Sequence, residues 1–194
     1  LYRSKSLGRN RFTFFAAEMQ HEALKEQQIE HELKQAIEND QLCLHYQPLL
    51  HAKQKHLIGS EVLVRWPHPE RGLIPPFEFI PIAEKTGLIA RLDDWVLEAS
   101  IKQIAKWLAA DVNTVPLSVN ISANRLNQRD FAQFVQSVIN KYQIPPELLC
   151  IEITEQNMIA NLDNVHSTLT LLRQSGVKVA LDDFGTGYSS LSYL

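Results

Sequence analysis

Val177-Lys178-Val179-Ala180-Leu181-Asp182-Asp183-Phe184-Gly185-Thr186-Gly187 is the stretch that decides the fold, because an apolar strand-forming run ends in two adjacent carboxylates and a Gly-rich turn. It reads as a strand ending in a site. Ionised carboxylates at the end of a buried strand are costly unless they are paired or bind a metal, so the pair asks for a cation. Two aspartates capping a loop are the plainer alternative.

Working outward from that strand, three more polar residues sit inside strand-like runs. Glu61 lies in Leu57-Ile58-Gly59-Ser60-Glu61-Val62-Leu63-Val64-Arg65-Trp66, Asn120 in Leu117-Ser118-Val119-Asn120-Ile121, and Glu152 in Leu148-Leu149-Cys150-Ile151-Glu152-Ile153-Thr154. Near-continuous apolar strands separated by helical segments argue a parallel sheet buried on both faces, and α/β barrels carry their sites at the C-terminal strand ends. Four strands bearing such residues suggest one shared site.

Strands are expected near 42–47, 57–65, 117–121, 148–153 and 177–182. About ten residues separate the first two, too few for a helical crossover, so the first strand should run antiparallel to the second. Between the strands, apolar residues recur at helical spacing. Phe131, Phe134, Val135, Val138, Ile139 and Tyr142 form one face, Leu97, Ile101, Ile104, Ala105 and Leu108 another within a helix from about Asp93 to Ala109, and a third helix spans Leu162 to Ser175 with Gly176 closing it. These stripes are core positions.

The segment from Glu18 to Asn39 holds neither glycine nor proline and places Ile29, Leu33, Ala36 and Ile37 on one face, suiting a connecting helix. Residues 1–16 enter in mid-pattern and run into Phe12-Thr13-Phe14-Phe15, which reads as the end of an upstream domain with a joint near residue 17.

With 19 Lys and Arg against 22 Asp and Glu the chain carries a net charge of −3, which offers no basic surface to polymeric nucleic acid. The two cysteines, Cys43 and Cys150, fall in strands without metal-type spacing and suit reduced core residues of a cytoplasmic protein, with membrane association through upstream regions left open. No apolar run reaches the ~18 residues of a membrane span. The seven histidines are scattered, and neither His45 nor His68 has a partner at ligand spacing.

The ordered motifs Gln47-Pro48, Glu61-Val62-Leu63-Val64-Arg65-Trp66, His68-Pro69-Glu70-Arg71-Gly72, Phe79-Ile80-Pro81-Ile82-Ala83-Glu84, Val119-Asn120-Ile121-Ser122, Glu152-Ile153-Thr154-Glu155 and Asp182-Asp183-Phe184-Gly185-Thr186-Gly187-Tyr188 carry a name. Over residues 45–194 the chain resembles the EAL-domain family of cyclic di-GMP phosphodiesterases. Val62 stands where the eponymous motif has alanine and keeps an apolar strand residue there. The first residues resemble the closing segment of a GGDEF domain, whose members make cyclic di-GMP.

The resemblance implies a TIM-like (β/α)8 barrel with an antiparallel first strand, of which about five strands fall within this chain. A complete barrel takes ~250 residues, so the natural protein is expected to continue past Leu194 into strands that supply a lysine, a further glutamate and a glutamine. A chain ending at Leu194 is expected to lack hydrolytic power on its own. The resemblance also implies hydrolysis of cyclic di-GMP to linear pGpG in bacterial signalling, with two Mg²⁺ or Mn²⁺ ions, and a homodimer among the states open to the protein.

On that resemblance Glu61, Asn120, Glu152 and Asp182 hold one metal, and Asp182 and Asp183 face the second, with Asp183 orienting the water. Glu61, Asp182 and Asp183 are thereby the catalytic set. All-oxygen donors of this kind suit Mg²⁺ or Mn²⁺ better than zinc. Leu63 belongs to the substrate surface, and Arg65, four residues after Glu61 and on the same strand face, can take a phosphate bidentately or pair with a helix carboxylate. Gln47 contacts guanine or phosphate, or is a satisfied core polar residue. Glu155 holds the Gly-rich loop without touching metal. A non-enzymatic EAL module that binds cyclic di-GMP or a protein partner is the alternative. The triplet Asp183-Phe184-Gly185 also occurs in protein kinases, but the sequence has neither their G-x-G-x-x-G loop nor H-R-D.

Overall fold

A computed structural model of the chain describes residues 17–154 and 162–182. Strand β1 (Cys43–Leu50) turns back through residues 51–56 into β2 (Leu57–His68), and the two pair antiparallel with Gln47 opposite Glu61 and Cys43 opposite Arg65. The short connection has the consequence the sequence predicts: a hairpin instead of a crossover. Beyond β2, strands β4 (Leu117–Asn120), β5 (Leu149–Thr154) and β6 (Lys178–Asp182) pair in parallel, with helices between them in sequence, in the order β1-β2-β4-β5-β6. This is the arc of an α/β barrel.

Helix α1 (Ala17–Glu38) precedes the sheet; α2 (Pro76–Thr86) and α3 (Ile89–Ala109) join β2 to β4; the single turn α4 (Ala123–Leu126) and α5 (Phe131–Tyr142) join β4 to β5; and α6 (Leu162–Gln174) precedes β6. The helices cover one face of the sheet. Val62, Leu117, Val119, Leu149, Ile151 and Ile153 are buried there against Leu97, Ile101 and Ile104 of α3, Val135, Val138 and Ile139 of α5, and Val165, Leu169 and Leu172 of α6. α6 ends as expected, with Gly176 at φ +91° and the Gly176 and Val177 amides donating to Arg173 and Leu172 carbonyls at 3.0 and 3.1 Å.

The sheet differs from the sequence reading in two respects. A sixth strand, β3 (Gly72–Ile74), forms a hairpin with the end of β2 and brings Ile74 against Trp66. Three residues are too few to show a period, so this strand is invisible to pattern. The sheet is also buried on one face only among the described residues. In β5, Leu149, Ile151 and Ile153 are buried while Cys150, Glu152 and Thr154 are half-buried, because the other face carries the polar residues of the site.

α1 packs into the core through Ile29, Leu33, Ala36 and Ile37 and is tied along its length to its neighbours. Glu26 pairs with Lys85, Lys25 with Glu78 at 3.5 Å, Glu32 with Arg71 at 3.7 Å, and Glu38 with Arg91 at 3.0 Å. His68 accepts the Glu70 and Arg71 amides at 3.2 Å and shapes the β2–β3 turn. No helix among the described residues is long and apolar enough to cross a membrane.

Candidate functional site

Register places the polar strand residues together. Asn120, the last residue of β4, stands opposite Glu152 on β5; Glu61 on β2 stands opposite Ser118, two residues before Asn120 and on the same face; and Asp182, the last residue of β6, stands opposite Thr154, two residues beyond Glu152. Four adjacent parallel strands therefore present Glu61, Asn120, Glu152 and Asp182 on one face, the last three at or near the C-terminal ends of their strands and Glu61 in the first half of β2. Asn120 Nδ2 donates to Glu61 Oε1 at 2.9 Å. Burial holds the Glu152 carboxyl above its ordinary pKa, a hydrogen bond with Ser118 opposes that rise, and the Glu61 and Asp182 carboxylates add to it.

Like charges facing one another at the end of a sheet are what a divalent cation relieves, and the donors are all oxygen. They fit a hard cation in chemistry. They are not drawn together as a closed cage: among the described residues no three His, Cys, Asp or Glu side chains are near enough to hold a metal ion. Asp183 and Glu155 lie outside the described residues.

Beside the cluster, a cavity of about 240 Å³ opens between the strand ends and helices α2 and α3, lined by Leu63, Arg65, Asp93, Asn120, Ser122 and Glu152 among others. Arg65 Nη1 donates to the Val64 carbonyl at 2.9 Å, and among the described residues its guanidinium pairs with no carboxylate. Gln47 lies outside the cavity, opposite Glu61 in the hairpin; its side chain is exposed and its carbonyl accepts the Ser60 hydroxyl at 3.1 Å.

Three residues at the site were given no role by the sequence, although Ser122 closes the quoted motif Val119-Asn120-Ile121-Ser122. Ser118 was signalled by spacing alone, two before Asn120 on the same strand face. Asp93 and Ser122 meet across the cavity, with the Asp93 Oδ2 accepting both the Ser122 amide at 3.1 Å and its hydroxyl at 2.5 Å. The signal for Asp93 was a carboxylate on the Ile89, Leu97, Ile101 stripe of α3, which is otherwise apolar.

A barrel-type α/β sheet with oxygen donors on one face of four parallel strands and a cavity beside them defines a class of small-ligand-binding α/β domains. The chain belongs to the EAL domain family, whose model matches residues 30–194. It is 40% identical over its whole length to the bifunctional diguanylate cyclase/cyclic di-GMP phosphodiesterase MucR of Pseudomonas aeruginosa, covering 28% of that protein, and 39% identical over its whole length to the cyclic di-GMP phosphodiesterase NbdA of the same organism, covering 25%. The chain spans about a quarter of the length of these relatives. In structure it resembles the PaMucR phosphodiesterase in its c-di-GMP complex, with a TM-score of 0.80 at 40% identity over 86% of this chain and 67% of that one. The fold is accordingly the TIM-like barrel of EAL domains.

Proposed function

We infer that the domain hydrolyses cyclic di-GMP to linear pGpG with the help of divalent cations. The observation that carries this reading is the alignment of Glu61, Asn120, Glu152 and Asp182 across four neighbouring strands, with Asn120 bonded to Glu61 and the Glu152 carboxyl held above its ordinary pKa by burial and by both acidic neighbours. The similarity to a phosphodiesterase solved with c-di-GMP supports it.

Glu61, Asn120, Glu152 and Asp182 would hold one Mg²⁺ or Mn²⁺, and Asp182 with Asp183 a second. Bound there, such ions lower the pKa of water and neutralise charge on phosphoryl oxygens. The chain's own residues do the rest. Arg65, with no carboxylate partner among the described residues, is available to a phosphate in two parallel hydrogen bonds. Leu63 supplies an apolar wall beside it. In this reading Gln47, although exposed on the hairpin outside the cavity, contacts guanine or phosphate, Asp183 orients the attacking water, and Glu155 holds the loop that follows Asp183.

Residues 1–16 are the tail of a GGDEF-like domain in this reading and α1 is the connecting helix to an EAL domain from about residue 40. A relative whose name joins a diguanylate cyclase to a phosphodiesterase supports the pairing of the two domains. The reaction is cytoplasmic in this reading, with a homodimer among the states open to the protein.

The test is turnover of cyclic di-GMP with Mg²⁺ or Mn²⁺ by the full-length protein beside Glu61→Ala. Linear product that disappears in the variant supports the enzyme and its metal site. Tight binding of cyclic di-GMP without product makes the domain a receptor and removes the catalytic roles of Asp182 and Asp183.

A further inference from the structure

Asn120 is the last residue of β4, so its aim depends on the turn that leaves the strand. That turn is anchored on both sides. On one, the Ile121 amide donates to the Glu152 carbonyl at 3.0 Å, continuing the β4–β5 ladder. On the other, Ser122 donates its amide and its hydroxyl to a single oxygen of Asp93, at 3.1 and 2.5 Å, while its own Oγ caps α4 by accepting the Arg125 amide at 3.2 Å. Asp93 is only 6% exposed and comes from α3, a different crossover. It also lines the cavity with Asn120 and Glu152.

A carboxylate in an apolar helix stripe costs stability, and a leucine there would fit the helix better. What the carboxylate does that a leucine cannot is to receive two donors from one residue and so fix that residue's backbone and rotamer together. Two residues upstream, Asn120 Nδ2 then meets Glu61 Oε1 at 2.9 Å.

We propose that Asp93 is a positioning residue of this site: through Ser122 it fixes the turn after β4 and so holds the Asn120 side chain toward Glu61. Its kinetic consequence rests on the phosphodiesterase reading, while its geometric consequence does not. An amide at position 93 keeps one acceptor of weaker, uncharged type, and an alanine keeps none.

The experiment compares Asp93→Asn, Asp93→Ala and Ser122→Ala with the unaltered protein. Three quantities are followed: thermal unfolding, turnover of cyclic di-GMP across a series of Mn²⁺ concentrations, and the Asn120 side-chain amide resonances, assigned by their loss in Asn120→Asp. In Asp93→Ala and Ser122→Ala the resonances shift, kcat falls by about tenfold with KM within about twofold, and the half-saturating Mn²⁺ concentration rises about tenfold. Asp93→Asn falls between, and the Asp93→Ala/Ser122→Ala double variant is no worse than either single one, since both break the same link. Unmoved resonances and an unmoved Mn²⁺ dependence, with only the unfolding temperature changed, overturn the proposal. Should Asp93→Ala fail to fold, Asp93→Asn and Ser122→Ala decide it. Should the unaltered protein show no turnover, the phosphodiesterase reading falls, and the Asn120 resonances alone decide the positioning role.

Discussion

At the scale of single residues, Asp93 couples the site to stability. Burial raises its pKa from 3.8 to about 7; the Ser122 bonds and the facing Arg125 oppose that rise and the neighbouring Asp94 adds to it. A carboxyl group whose folded pKa lies above its unfolded value contributes stability that is fully present below the unfolded pKa and lost as pH rises through the folded one. The folded domain should therefore weaken between about pH 4 and pH 7. Asp93→Asn removes that loss, so urea unfolding at pH 4.5, 6 and 7.5 should show the variant gaining on the unaltered protein by about 1.4 kcal/mol for each pKa unit of the shift. Equal pH slopes for the two proteins would refute the burial cost. Gain in stability with loss of turnover is the pattern of a residue kept for a site.

At the scale of elements, the turn α4 and the start of α5 are organised by Arg125, whose side chain is 2% exposed. Its Nε bonds Asp94 Oδ1 at 2.6 Å, its Nη1 bonds Asp130 Oδ1 and Gln128 Oε1 at 2.9 Å, and its guanidinium lies 5.0 and 5.2 Å from the ring centroids of Phe131 and Phe134. Asp130 is largely exposed and rehydrates readily, so the lost packing and the Asp94 bond dominate. Arg125→Ala should cost about 2–4 kcal/mol, read as a lowered denaturant midpoint. At the end of α6, a Cβ on Gly176 would stand 3.3 Å from the Pro146 Cβ in a left-handed backbone. Gly176→Ala should lower stability by about 1–2 kcal/mol in the same measurement. Helices α1, α5 and α6 were legible because their apolar residues keep a period of 3.6 over three or more turns. No helix was expected at α2, which holds two prolines; Pro76 sits in the first turn, where no amide is required, and the 11-residue helix tolerates Pro81. The start of α3 at Ile89 was placed four residues late for want of a capping side chain.

At the scale of the whole molecule, α1 is part of the folded body. Leu33 and Ala36 are fully buried, the ion pairs to α2 and α3 line the seam, and the Trp95 indole donates to Asp40 just beyond the helix at 2.7 Å. Leu33→Ala should cost about 2–5 kcal/mol of global unfolding free energy with unchanged cooperativity; two separate transitions would show α1 to be an independent linker. The sequence by itself determined the antiparallel first strand, the succession of crossovers and the four polar strand residues, because hydrophobic period and connection length are local properties of a chain. Only the tertiary structure decided that Asn120 bonds Glu61, that Arg65 is left without a carboxylate among the described residues, and that Asp93 reaches Ser122 from another crossover. Those pairings join residues 29 to 59 positions apart, and contacts across such distances are set by register and helix packing, which no local pattern encodes.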